Sequence, residues 1–587
     1  MPRRAERAAR RESLSPAAAP NDPGYRWALI AITAVAAVLR IADLTHAPPG
    51  LNQDEAIGAW ISWCLLKTGH DMTGQAWPIF YTHGIGDYPS TLFLYMTIPF
   101  QWLGGLNVWT TRLPGAVSGV LGVPLVAHVG ARLFDRRTGL MAALLLALNP
   151  WHLFLSRFAV GASHCAMFAL LAMALLLAAR LPLAGQRPLE EMTGAPGPRA
   201  PRAGLALLAG LSAGLACYGY PPLRMYFPAL FALVAIVQWR ALRETLATRA
   251  GRLAIGALAL GFAVPFIPLA IVHLRDPAIS HRWEMTRLWD PGASVLEIAG
   301  LVFGRYLDHF GLGFLFLRGD RFLDVNPLMA GAFPWIVLPL FLVGALVVLL
   351  RWRESASART LAALVLAYPA GDLVSRYASV HAQRSAAGAG ALALLAALGA
   401  ISLAGAIGGL AGARQRGQRA FERGSRIGTG VVAAVVIALH IPALVRFYRD
   451  FDRSPEIQRA YHVSLVSAMR WLEPRLTNFD AVFCTVQGMN EPFSIALIGL
   501  DYDPHRWFAE VREVKANGEW EVTTRFGKLW FMYDDSWQGE LTRLANEGRH
   551  ARVLFITPPG ESHDAIPLET IRAPDGAPDL IISERQL

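Results

Sequence analysis

Charge is scarce in this chain. Only 17% of its 587 residues are charged against 54% that are hydrophobic. That is too little polar surface for a soluble protein of ordinary shape, and it predicts a polytopic membrane protein. Lysine is nearly missing, with Lys67, Lys515 and Lys528 the only ones, so arginine carries the basic balance; no mechanism follows from that skew. The four cysteines, Cys64, Cys165, Cys217 and Cys484, make no C-x-x-C pair and no metal-ligand spacing. Cys64 and Cys484 both fall on the expected outer side and are candidates to pair. A Gly-rich phosphate loop is missing, and with it any nucleotide-binding fingerprint. No cleavable signal peptide is evident: a polar arm precedes the first apolar run and no small-residue cleavage pattern follows it, so the run is expected to remain as a signal anchor.

What the chain does have is apolar length. Segments approaching spanning length recur at 27–44, 112–134, 139–154, 159–181, 203–217, 222–239, 253–274, 331–350, 361–374, 386–410 and 428–445. Several are short for about 30 Å of hydrocarbon and need help from neighbours. The net charge of +10 does not point to nucleic acid, because the arginines sit in short connectors at 132–137, 180–202, 240–252, 351–359 and 414–426 rather than in one patch. That is the positive-inside signature. With those connectors and the basic start inside, 45–111 is outside. The stretch 90–104, short and carrying Pro99, is then a juxtamembrane or re-entrant segment; a crossing there would invert the charge rule for every later connector.

The expected fold class is therefore a polytopic α-helical membrane protein of about 11 to 13 spans with a small C-terminal extracytoplasmic α/β domain. Residues 1–26 form a cytoplasmic basic arm, 27–446 the transmembrane domain with outer loops 45–111 and 275–330, and 447–587 the soluble outer domain. In that domain 457–472 and 539–546 have helical spacing, and 481–486, 529–533 and 552–557 read as strands. The Pro, Gly and Ala-rich linker 185–201 reads as disordered and cytoplasmic.

Polar groups gather in the outer regions. The first holds Asn52, Asp54, Glu55, His70, Asp71, His83 and Asp87, the second His281, Arg282, Asp308, His309 and Asp320, and the third Arg376, His381 and Arg384. The acidic pair Asp54-Glu55, just beyond the first apolar run, is expensive to hold at a bilayer surface and is a site hypothesis on that ground. Its bland alternative is a helix cap over 56–66, where a carboxylate satisfies orphan N–H groups. Arg384 has an equally bland reading as a snorkelling anchor. His281 and His309 can be satisfied loop residues, and Tyr218 and Tyr220 can belong to an aromatic belt.

Taken in order, these pieces resemble the GT-C membrane glycosyltransferases, within them the family 39 group of protein O-mannosyltransferases and bacterial aminoarabinose transferases. Leu51-Asn-Gln-Asp-Glu-Ala is similar to that group's acidic motif, and Lys67-Thr-Gly-His-Asp to the turn that follows. Asp87-Tyr-Pro-Ser-Thr-Leu resembles its second acidic element, although many relatives have Glu-Lys-Pro-Pro there. Further similarity runs through Arg112-Leu-Pro-Gly, Gly130 to Gly139, Asn149-Pro-Trp-His, Ser156-Arg-Phe-Ala, Tyr306-Leu-Asp-His-Phe, Phe314 to Asp320 and His381-Ala-Gln-Arg-Ser, over roughly 27–445.

The resemblance implies transfer of a sugar from a polyprenyl-phosphate donor, on the outer face of a bacterial inner membrane, with inversion. Asp54 would be the general base, with Glu55 as the alternative carboxylate of the pair. Arg384, His381 and Arg224 would hold the donor phosphate, and Asp87, Tyr88, His83 and His281 are candidates for a substrate or metal site. The resemblance fixes no cofactor and leaves a divalent metal open. The implied partners are the lipid-linked donor, a lipid, glycan or protein acceptor, and membrane lipids, with no nucleic acid. Two alternatives remain. A transporter or flippase of lipid-linked sugar usually carries internal repeats with matching broken spans, and none is visible here. A surface-glycan ligase or polymerase on a similar scaffold would differ only in acceptor.

Overall fold

The computed structural model describes residues 23–82, 89–181, 183, 200–321, 326, 330–376, 380–412, 418–451, 453–517, 520–547, 550–561 and 563–587. The linker at 185–201 and the basic arm lie almost wholly outside those residues.

Every apolar segment named above carries helix. Among the described residues, six helices are long and apolar enough to cross a membrane: Pro23–Ile41, Val108–Leu133, Gly161–Ala178, Arg249–Arg275, Ala386–Gly408 and Gly424–Asp450. Two more candidates are bent pairs, Arg136–Leu148 with Pro150–Ser156 at 63° and Leu223–Val237 with Trp239–Ala247 at 85°. The first bend falls at Asn149-Pro150, where proline cannot donate to the helix ladder. Ala203–Ala216 and Ala356–Ala367 are shorter still, 14 and 12 residues; at 1.5 Å per residue they span only about 20 Å. Such helices depend on close neighbours. A side chain at Gly210 would sit 2.2 Å from the Leu258 carbonyl and one at Gly261 would sit 2.3 Å from that of Leu207, so Ala203–Ala216 and Arg249–Arg275 meet backbone to backbone. The stretch read as juxtamembrane is the 14-residue helix Thr91–Gly104, with Pro99 inside it.

Among its described residues the C-terminal region forms a seven-stranded mixed sheet: β1 Ala481–Cys484, β2 Arg512–Asn517, β3 Trp520–Phe526, β4 Leu529–Phe531, β5 Arg552–Thr557, β6 Ile566–Arg572 and β7 Pro578–Gln586, in the order β2-β3-β4-β1-β5-β7-β6. β1 lies parallel to both β4 and β5, Val482 opposite Leu529 on one side and Leu554 on the other. These central strands are buried apolar runs, the kind that a sequence reveals. The antiparallel strands β2, β3, β6 and β7 were not anticipated, because β6 is mostly exposed and β2 reads Arg-Glu-Val-Lys-Ala-Asn. The expected helix over 457–472 is two, Pro455–Ala460 and Val463–Leu472, broken where His462 takes a left-handed backbone at φ 50°.

This domain does not stand apart from the membrane bundle. Trp60, Cys64, Leu65 and Met72 share one hydrophobic core with Leu465, Met469, Phe493 and Trp507. Trp507 donates from Nε1 to the Met72 carbonyl at 2.8 Å, and Leu51 N donates to the Tyr461 carbonyl at 3.1 Å. Helix Gln53–Thr68 is thereby held between bundle and sheet. Cys64 and Cys484 lie in that core as free, buried thiols, so the pairing left open by the sequence is not made.

Candidate functional site

Three buried arginines hold the approach from the first span to helix Gln53–Thr68. Between it and the first span runs an irregular segment whose carbonyls lack helix partners and need other donors. Arg157 supplies them to Leu39, Ala42, Asp43 and Ala47 at 2.6–2.9 Å. Arg112 supplies them to Leu44, Pro48 and Gly50 at 2.6–3.1 Å. Arg40 ties the end of the first span to the Leu146 and Ala147 carbonyls and to His152 Nδ1.

Glu55 completes this frame. Its Oε1 accepts from Arg112 Nε at 2.8 Å and from Ala159 N at 2.8 Å, while Oε2 accepts from Arg112 Nη2 at 2.7 Å and from Asn52 N at 3.1 Å. With Asn52 accepting from Asp54 N at 3.0 Å, this is a capping box. The bland reading of the acidic pair therefore describes Glu55: it is wholly buried and engaged at both oxygens. Asp54, one residue earlier, is exposed at the helix N-terminus. Gly69 ends the helix at φ 75°, and Asp71 Oδ1 accepts from Thr73 N and Gln75 N at 3.0 and 2.9 Å, closing the Lys67-Thr-Gly-His-Asp turn.

A second group surrounds Arg224. Its Nη1 lies 2.5 Å from His273 Nε2, its Nε donates to the Cys217 carbonyl at 3.1 Å and its Nη2 reaches Ser90 Oγ at 3.4 Å. Tyr81, bonded to Asp276, and Ser90 bridge across the base of the outer loop, where Thr82 N donates to the Pro89 carbonyl at 2.9 Å. Arg224 thus sits at the root of the loop that carries His83, Asp87 and Tyr88, which fall outside the described residues. His281 belongs to helix Pro277–Thr286, but its side chain is likewise outside what is described.

The third group gathers around Asp372, which the sequence reading placed at the end of an apolar segment and did not single out. Asp372 is buried; its Oδ2 accepts from His381 N at 2.9 Å and lies 3.5 Å from His309 Nε2, and its Oδ1 lies 3.9 Å from Arg384 Nη1. His309 Nε2 also meets Ser385 Oγ at 3.1 Å. Asp320 accepts from Ala382 N at 2.7 Å and lies 3.6 Å from His381 Nδ1. Burial, then the neighbouring Arg384 and Arg305 charges, hold the His381 imidazole down to about 3; burial holds His309 down to about 4. Both rings are neutral at pH 7, so the cationic groups here are Arg384 and the buried Arg305. Arg305, too, was missed, its only signal being an arginine facing inward from an otherwise apolar helix.

The three groups are linked through short contacts between neighbouring segments. Ala159 N donates to Glu55, Gly161 abuts the Gly219 carbonyl, and Tyr220 OH donates to Gln383 Oε1 at 3.4 Å, one residue from Arg384. A partly open cavity lies beside the third group, lined by Trp151, Phe154, Phe314, Asp320, Ala382 and Phe447 among others. Among the described residues, its lining includes none of the expected site residues. Among the described residues, no group of three or more His, Cys, Asp or Glu side chains is placed to hold a metal ion.

The sequence model of the dolichyl-phosphate-mannose-protein mannosyltransferase family matches residues 71–285. Among solved structures, ArnT from Cupriavidus metallidurans in the apo state is 15% identical with a TM-score of 0.52, covering 96% of this chain and 98% of that one. The chain has the GT-C membrane glycosyltransferase fold. ArnT bound to undecaprenyl phosphate gives a TM-score of 0.51 at 14% identity, with the same coverage. The GT-C oligosaccharyltransferase AglB from Archaeoglobus fulgidus, in complex with an inhibitory peptide and a dolichol-phosphate, gives 0.51 at 13% identity, covering 81% of this chain and 64% of that one. No curated protein sequence matches.

Proposed function

We propose that this protein is an inverting glycosyltransferase that moves a sugar from a polyprenyl-phosphate donor to a lipid, glycan or protein acceptor on the outer face of a bacterial inner membrane. Asp54 accepts the proton of the attacking hydroxyl, general-base work worth roughly 10²- to 10⁴-fold. The leaving phosphate needs cationic neutralisation rather than a proton, and Arg384 serves it, with Arg224 a second contact, because an arginine fork matches phosphate oxygens. His381, neutral at pH 7, contributes a hydrogen bond rather than a charge.

One observation carries the assignment of the base. Of the adjacent acids, Glu55 is consumed by Arg112, Ala159 and Asn52, while Asp54 faces solvent from a helix start clamped on both sides. A rigid support holding one accessible carboxylate is what proton abstraction needs. Supporting the donor class are the resemblance to structures solved with undecaprenyl phosphate and dolichol-phosphate.

The test is sugar transfer by the purified protein in lipid, from a panel of radiolabelled polyprenyl-phosphate sugars to extracted envelope glycans and proteins, for wild type and Asp54→Asn. Transfer by the wild type alone supports the enzyme and its base together. Equal transfer by a well-folded Asp54→Asn removes Asp54 from the mechanism.

A further inference from the structure

Helix Val295–Asp308 lies in the region that the charge pattern assigns to an aqueous outer loop, yet its polarity is reversed for such a place. Ile298, Val302, Arg305 and His309 follow one another at helical spacing on the inner side, with Arg305 and His309 buried toward Asp372. The opposite side carries Leu296 at 83% exposure, Phe303 at 62% and Leu307 at 51%. A helix on a water-facing surface buries its apolar stripe and exposes its charges; this one does the reverse.

We propose that this outward face lies against the acyl chains of the bilayer. Three observations favour hydrocarbon over a protein partner. The exposed charges stand only at the ends: Glu297 folds back on Ser294 N at 2.7 Å as part of the N-terminal cap, and Asp308 closes the helix. The inner face is pinned to a bundle helix, Tyr306 OH donating to the Leu366 carbonyl at 3.1 Å and Tyr368 OH to that of His309. The span before it and the bundle helix after it in the chain have the same apolar outward character. The preceding span exposes Val264 and Ile267, and the helix that follows in the chain exposes Leu342 and Leu346. In this placement Arg305 stays on the protein side of a lipid-backed wall, as intramembrane arginines do.

The test uses the full chain in phosphatidylcholine vesicles with a bimane fluorophore on a cysteine introduced by Phe303→Cys or Leu307→Cys. The four native thiols are buried, so labelling is directed to the new one. Leu342→Cys, on a bundle helix, is the lipid reference and Gln538→Cys, exposed on the sheet domain, the aqueous one. A phosphatidylcholine bearing a nitroxide on its acyl chain should remove emission at Phe303→Cys and Leu307→Cys as fully as at Leu342→Cys, with iodide acting only on Gln538→Cys. Quenching by iodide at the two helix positions overturns the proposal, and so does quenching by neither agent, which would mean that protein covers the face. Leu296→Cys repeats the measurement one turn or more away, should either variant fail to reconstitute.

Discussion

Arg112 grips Glu55 through two contacts, Nε to Oε1 at 2.8 Å and Nη2 to Oε2 at 2.7 Å, with both side chains wholly buried. The pair closes the helix start that presents Asp54, so an ion pair with no exposure to substrate governs where the exposed acid points.

Breaking that pair from one side leaves an uncompensated buried charge. Arg112→Ala or Glu55→Ala should each lower stability by about 3–5 kcal/mol, read as a lower thermal midpoint in detergent. The double variant should lose less than the two single losses combined, because each single change already abolishes the same interaction. Full additivity would mean that the two residues act independently.

Asp54→Asn and Glu55→Gln should separate chemistry from support. The first should cut transfer by roughly 10²-fold or more with the thermal midpoint unchanged; the second should lower the midpoint and reduce transfer only as far as the helix start loosens. Stability and kinetics measured on the same preparations distinguish them. A Glu55→Gln protein that is fully stable but inactive would move the base to Glu55.

For Arg384→Ala the expected change is weaker donor binding, by a charge-assisted contact worth about 1.5–3 kcal/mol. Binding of a polyprenyl phosphate without its sugar isolates this contribution. Unchanged affinity would count against a phosphate role and leave Arg384 a structural residue beside Asp372.

His462 supplies a pH prediction. Burial holds its imidazole down to about 4, against about 6.5 in an unfolded chain. Between those values the unfolded state binds a proton that the folded state does not, so stability is full above about pH 6.5 and is lost as pH falls toward 4. His309 and His381 act in the same direction. The contribution of His462 to the thermal midpoint should fall between pH 7 and pH 5, and His462→Asn should remove that fall, since asparagine tolerates the left-handed backbone and does not titrate. An identical pH profile in the variant would refute the contribution.

Trp507 joins the two halves of the protein. It is buried, donates to the Met72 carbonyl and meets Trp60 edge-on at a centroid distance of 6.1 Å. Trp507→Ala should cost about 3–5 kcal/mol as a core truncation. Protease cleavage between bundle and sheet domain should rise with it, which would not happen if Trp507 stabilised the sheet domain alone.

How far the sequence could be read depended on how local each signal is. The apolar helices, the membrane class and the strands β1, β4 and β5 were legible because each is a continuous apolar run whose burial needs no knowledge of its partner. The acidic pair was legible as a pair, yet which member caps and which is exposed was not. That division rests on Arg112, Ala159 and Asn52, and two of those lie far along the chain. Asp372 hid at the end of an apolar segment, and Arg305 hid in a helix whose inward side only the packing defines.

By itself, then, the sequence determined that this is a multi-pass helical membrane protein with its polar groups collected in a few connecting regions, because hydrophobic length and charge placement act residue by residue. The tertiary structure alone decided which buried charges hold the backbone, which carboxylate stays exposed, and that the sheet domain shares a core with helix Gln53–Thr68. Those outcomes turn on contacts between segments distant in the chain, where desolvation makes every unpaired charge costly and so selects one arrangement.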